Sequence, residues 1–177
     1  MSKKLAVILV ALCGVITVAC IVTVVVVLMG KDSEAPPTIS PDYAPKEEEP
    51  NAEPIPDDTE DKMEQPEGGG AVSLVYTTEV EVDLSEGKAS LLFGNPHKST
   101  QDMVLRVVIR DQVILQSGRI TPGNQVTALE LLPDAPALGA GTYTEESCHF
   151  AVLYYDPVSG EKAILNTVIP ITVTVRE

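Results

Sequence analysis

Met103-Val104-Leu105-Arg106-Val107-Val108-Ile109-Arg110 is the stretch that decides the fold. Met103, Leu105, Val107 and Ile109 form one apolar set, and Val104, Arg106, Val108 and Arg110 form an alternate set that holds both charges. Successive side chains on a strand point to opposite faces, so this pattern reads as a strand with one face in a core. The same period recurs on either side. Cys148, Phe150, Val152 and Tyr154 alternate with His149, Ala151, Leu153 and Tyr155. Val80, Val82 and Leu84 alternate with Glu79, Glu81 and Asp83. Leu165, Thr167, Ile169, Ile171, Val173 and Val175 form a last apolar face.

Turn-forming residues punctuate these runs: Ser85-Glu86-Gly87, Asn95-Pro96, Asp111-Gln112, Pro122-Gly123 and Asp156-Pro157-Val158-Ser159-Gly160. About seven strands are expected, at 73–84, 88–94, 102–110, 113–117, 125–132, 143–155 and 162–175, with no long amphipathic helix. Seven strands over residues 71–177 suit one all-β domain, a β-sandwich of immunoglobulin or fibronectin type. Leu138-Gly139-Ala140-Gly141-Thr142-Tyr143 has the Leu-x-x-Gly-x-Tyr form of a tyrosine corner, which assigns Tyr143 a structural hydroxyl bonded to backbone just upstream. Tyr143 has the opposite parity to the inward set Cys148, Phe150, Val152 and Tyr154, and a bulge near Glu145 and Glu146 would restore the phase.

From Phe93-Gly94-Asn95-Pro96, through the strand at 102–110 and Ile120-Thr121-Pro122-Gly123, to Gly141-Thr142-Tyr143, the chain resembles immunoglobulin-like accessory domains of bacterial surface proteins. As a whole it is similar to small uncharacterised membrane-anchored surface proteins of Gram-positive bacteria. The resemblance implies a fold and a location rather than an activity. With no tryptophan and no cysteine pair in the domain, it is not of antibody type.

Residues 5–29 contain no charge and are long enough as a helix to cross a ~30 Å hydrocarbon core. Lys3 and Lys4 precede this run and an acidic stretch follows Lys31, so a cytoplasmic N-terminus, residues 1–4, and an extracellular C-terminal part are expected. The run is longer than the apolar region of a cleaved signal peptide. Thr17-Val18-Ala19 ahead of Cys20 lacks the leucine of a lipidation site. It therefore reads as an uncleaved single-pass anchor in the cell membrane.

Residues 30–70 hold eight of the fourteen prolines, and 13 acidic residues against 3 lysines. That composition predicts a disordered, extended acidic linker reaching up to ~120 Å, a stalk beneath the domain. Its carboxylates lack the ligand spacing of a calcium loop, so no metal site is expected there.

The domain carries no recognisable catalytic motif. Cys148 and His149 are adjacent and on a strand point to opposite faces, so they cannot form a nucleophile–base pair. Cys148 reads as a buried small hydrophobe. His97, His149 and Cys148 are too scattered for a zinc site, and no glycine-rich loop links a strand to a helix. No catalytic, cofactor-binding or metal residue is assigned, and no cofactor is expected. A net charge of −6 over residues 71–177 argues against nucleic acid. The expected function is a non-enzymatic binding or assembly module that contacts a surface protein, a membrane protein or a wall polymer. The competing reading is a surface-anchored enzyme or a protease-inhibitor-like module. The expected partner face is the outer side of strands 102–110 and 143–155, where Val104, Arg106, Val108 and Arg110 would lie beside Ala151, Leu153 and Tyr155.

Overall fold

The computed structural model describes residues 42–67 and 69–177. Every regular element among them is a strand: β1 (Ala52–Pro54), β2 (Val75–Tyr76), β3 (Glu79–Asp83), β4 (Lys88–Asn95), β5 (Asp102–Ile109), β6 (Gln112–Gln116), β7 (Asn124–Glu130), β8 (Gly141–Tyr143), β9 (Cys148–Tyr155), β10 (Lys162–Pro170) and β11 (Thr172–Arg176). They form two sheets. The first runs β1-β7-β4-β3-β11-β8, with β2 also on β4, and the second runs β10-β9-β5-β6. β11 lies parallel to β3, whereas all pairs of the second sheet are antiparallel. Among the described residues no helix is long and apolar enough to cross a membrane, and the run at 5–29 lies outside them.

The inward sets read from the sequence fill the space between the sheets. Val80, Val82, Phe93, Val126, Leu129 and Val173 from the first sheet join Met103, Leu105, Val107, Phe150 and Val152 from the second in one buried cluster. Phe93 and Phe150 meet edge to face across the layers, with ring centroids 6.1 Å apart, a favourable geometry for two quadrupoles. The result is sandwich-like: two sheets face each other over a shared apolar layer. The buried Asn95 side chain ties the layers at one end, donating from Nδ2 to the carbonyls of Gln101 and Ile120 at 2.9 Å each.

Two strands expected to be continuous change sheet instead. The stretch 143–155 divides into β8, at the edge of the first sheet on β11, and β9, in the second sheet on β5. The turn at 144–147 makes the crossing, so the parity of Tyr143 is resolved by a change of sheet rather than by a bulge. The Tyr143 hydroxyl donates to the Gly139 carbonyl at 3.0 Å, and the Arg110 guanidinium lies 5.2 Å from the centre of its ring. The stretch 162–175 divides between Pro170 and Thr172 into β10 and β11. Ile169, Ile171, Val173 and Val175 are buried, but Leu165 is not, being 77% exposed. The register explains why: Lys162 pairs with Tyr155 and Asn166 with Leu153. Residues 163–165 therefore stand opposite Tyr154 alone, and this bulge breaks the inward phase.

The largest departure from expectation lies in the proline-rich stretch. Residues 42–67 are part of the folded unit rather than a free linker. The Ala44 amide donates to the Gly160 carbonyl at 2.9 Å, and the Lys162 amide to that of Asp42 at 2.9 Å. Further on, Glu49 donates to Arg119 at 3.0 Å and Arg119 to Glu47 at 3.1 Å, backbone to backbone. The Glu49 side chain is buried and accepts the Gly118 amide at 2.6 Å. β1 then adds to the edge of β7, with Ala52 opposite Val126. Beyond it, Asp58 accepts the His97 amide at 2.6 Å and Glu60 pairs with Lys98 at 2.7 Å. Residues 42–49 thus form a strap across the second sheet. Its hydrogen bonds use main-chain groups and carboxylates, which a disorder-prone composition supplies as well as any other.

A Cβ at Gly118 would lie 2.9 Å from the Glu49 Cα and N, inside any permitted contact. Gly118→Ala should therefore lift the strap, cost about 1–3 kcal/mol, and open residues 42–49 to protease. Denaturant unfolding and limited proteolysis read the two effects, and wild-type behaviour in both would mean that the strap is not held there. Tyr143→Phe should cost ~0.5–1 kcal/mol, because its hydrogen bond is partly open to water; an unchanged unfolding midpoint would assign the corner to the backbone alone.

Candidate functional site

The outer face of β5 and β9 is occupied by the chain itself. Every residue of β5 is buried, on both faces. Val104, Leu153 and Tyr155 form a small apolar cluster of their own, 1%, 2% and 0% exposed, with Ala44 of the strap packed against it. Arg106 is buried, and its Nε donates to Gln116 Oε1 at 2.7 Å. Burial pushes the Arg106 pKa down and the Tyr155 pKa up, each moderated by the other's charge. Val108 is buried as well. The expected partner face, Val104, Arg106, Val108, Leu153 and Tyr155, is therefore corrected to an internal layer. Strong apolar character outside the core marked a surface that needed a cover, and the strap supplies it.

Arg110 stands apart from that layer. It is exposed, and with Asp111 it makes the two-residue loop between β5 and β6. Their φ angles are 49° and 64°. Left-handed geometry at both central residues suits the right-handed twist of a hairpin.

Cys148 faces the core and is 1% exposed. Burial raises its pKa, and the Ser147 hydroxyl 3.6 Å away offsets only part of this. The thiol is held in its un-ionised form, poor as a nucleophile. His97 is exposed and engaged by the segment after β1, its Nδ1 3.0 Å from the Glu60 carbonyl. No cluster of histidine, cysteine and carboxylates suited to a metal ion occurs among the described residues.

One open cleft, mixed in its lining, lies beside the end of the strap. It encloses about 450 Å³ and is lined by Lys62, Thr100, Asp102, Arg119, Thr121, Pro122 and Pro157. Asp102 begins β5 and is buried, with its side chain 4% exposed. Arg119 sits between two carboxylates, with Nε 3.5 Å from Asp102 Oδ2 and Nη2 3.3 Å from Glu48 Oε1. The Nε itself is buried without a hydrogen-bond partner at normal geometry. Lys62 donates from Nζ to the Ser99 carbonyl at 2.8 Å. Arg119 thus sets its positive charge against the Asp102 and Glu48 carboxylates within the cleft. Burial raises the Asp102 pKa most, Arg119 lowers it, and Glu48 and Asp156 raise it further. The cleft gathers residues from the segment after β1, the start of β5 and the loops before β5, β7 and β10. Sequence reasoning missed it because these residues share no motif and meet only through the two-sheet topology.

Comparison of the chain with protein-family models, with curated proteins and with solved structures finds no match.

Asp102 gives a pH signature with a definite sign. Its folded pKa lies above the ordinary 3.8, so folding favours the protonated form and the ionised carboxylate costs stability at neutral pH. As pH falls from 7 through the raised value toward 4, wild type should gain stability relative to Asp102→Asn, which has no such proton to take up. Urea unfolding of both proteins across that range reads the difference. A constant difference would mean that Arg119 fully compensates the burial.

Proposed function

We propose that the chain is a membrane-tethered binding or assembly module of immunoglobulin-like type, acting outside the cell and without catalysis. The observation that carries this reading is an apolar strip on an acidic domain. Ile164, Leu165 and Val168 on β10 are 99%, 77% and 62% exposed, although residues 42–177 hold 24 acidic against 9 basic residues, a net of −15. Strong net charge keeps a domain soluble and apart from its copies, so exposed aliphatic side chains in one strand stand out as a contact surface. The buried, un-ionised thiol and the internally balanced cleft support binding over nucleophilic chemistry.

The tether rests on the uncharged run at 5–29 and on Lys3 and Lys4. The strap changes the expected reach. Only residues 30–41 separate that run from Asp42, and twelve extended residues reach at most ~40 Å.

Protease added to intact cells, or to spheroplasts where a wall blocks access, should degrade residues 71–177. A membrane-impermeant amine-reactive cross-linker should join the full chain to discrete partners. Complete protection in cells shown to be accessible would overturn the topology, and monomer alone after cross-linking would overturn the binding reading.

A further inference from the structure

A sheet edge is a row of unpaired backbone donors and acceptors, and folded proteins guard it. The described edges of this domain differ sharply in how they are guarded. In the first sheet the edge strands β1 and β8 are three residues each, and β1 carries Glu53 and Pro54. In the second sheet the β6 edge is closed by the chain that follows β7: Leu115 bridges Leu131, and the Leu132 amide donates to the Ile114 carbonyl at 3.0 Å. β10 is the exception. It is nine residues long and pairs with β9 alone. Its start is met by the strap, through the Tyr43–Glu161 bridge and the bond from the Lys162 amide to Asp42. No described strand lies beyond that point.

β10 is also lightly guarded by its side chains, with Pro170 only at its last position. Lys162 is its single charged residue. The bulge at 163–165 could serve to discourage pairing, but it turns Ile164 and Leu165 outward, so it presents aliphatic side chains where a guard would present lysines. From Asn166 to Pro170 the register on β9 is regular, with Asn166 opposite Leu153 and Pro170 opposite His149. Val168 lies in this regular part, 62% exposed. The strand thus offers both elements of strand addition: free main chain for affinity and apolar side chains at its rim for selection.

The occupant follows from charge. Asp42, Asp156 and Glu161 flank the Lys162 end, within a domain of net −15. A second copy would bring the same excess of negative charge against its own, whereas a basic segment would be drawn to it. We propose that β10 is the docking edge of this domain, and that its occupant is an extended segment of a partner protein that carries lysine or arginine and is apolar at alternate positions. The segment adds to the second sheet as a further strand. This rests on the binding-module reading and names the partner's chemistry.

The test uses the full chain and a capped ten-residue peptide of alternating lysine and valine, followed by fluorescence anisotropy. Binding should be saturable and weaken with added salt. It should fall about tenfold or more when glutamate replaces lysine in the peptide, and disappear when every peptide nitrogen is methylated. Ile164→Lys, Leu165→Lys and Val168→Lys combined should abolish it with an unchanged unfolding midpoint, since all three side chains are exposed. Val158→Lys, at a position 95% exposed in the turn before β10, should leave it intact. Equal binding by the triple variant or by the methylated peptide would overturn the proposal in favour of a diffuse charge effect. Concentration-dependent dimerisation, lost in the triple variant and with no peptide bound, would replace the basic partner by a second copy. Cross-linked products that persist in the triple variant would sink the edge and leave the binding module standing, whereas their absence from wild type would remove both.

Discussion

The Glu49 carboxylate accepts the Gly118 amide at 2.6 Å and the Asn51 amide at 3.1 Å, and the covering of the second sheet depends on this point. β5 is apolar toward the first sheet and mostly apolar away from it, so it needs cover on two sides. The first sheet gives one side. The other comes from residues 42–49, held at Glu161 and Lys162 at one end and at Gly118 and Arg119 at the other. Between these points Ala44 closes over Val104, Leu153 and Tyr155. Three buried side chains of that size are worth several kcal/mol when removed from water, which offsets the ordering of a short extended segment. Arg106 fits the same layer, because its stem lies among apolar neighbours while Nε reaches Gln116.

Sheet changes complete the architecture. The chain leaves the second sheet between Pro170 and Thr172, where proline ends the run on β9, and β11 then pairs with β3 and β8. It enters that sheet at 144–147, where the Ser147 carbonyl accepts the Arg110 amide at 2.8 Å. The two crossings bring β8 and β11 together at one edge, with Val173 opposite Tyr143. Tyr143 therefore links three separate pieces of chain: β11 through the ladder, Gly139 through its hydroxyl, and the β5–β6 turn through Arg110.

Period two made the core legible. Met103, Leu105, Val107 and Ile109 face inward as their alternation requires, as do Phe150 and Val152, and β5 lies beside β9. Local signals were weaker wherever the chain changed sheet, since the alternation of one strand passes into the next with little change of composition. Leu165 shows the same limit within a strand: it lies in the three-residue bulge opposite Tyr154, outside the regular ladder, and no residue type nearby announces the bulge. The strap was illegible for a different reason. Its prolines and carboxylates match those of disordered linkers, while what fixes it is main-chain bonding to Gly160, Gly118 and Arg119, distant in sequence. The alternation places Val104, Leu153 and Tyr155 away from the core, but it does not show that they are covered by Ala44 of the same chain rather than by a partner. The Asp102 cleft left no trace in the sequence, because its lining comes from the segment after β1 and from loops that meet only in the fold.

The composition of the strap bears on which surfaces the chain can close for itself. Proline cannot donate to a ladder, so the strap, with Pro45 inside it and Pro50 directly after it, is poorly suited to lie as a long strand along an edge. It is well suited to cross strands, where only its ends need pairing and its middle needs contact. The strap does this, with isolated bridges at Tyr43 and Glu48 and apolar contact between them. A face asks for buried side chains, whereas an edge asks for hydrogen bonds at successive residues. The strap meets the first need, and the stretch that follows it meets the second only over the three residues of β1. The outer face of β5 and β9 is thus closed from within, and the acidic residues of the strap add their charge to the domain. The nine residues of β10, uncharged beyond Lys162, keep an edge that no described strand completes.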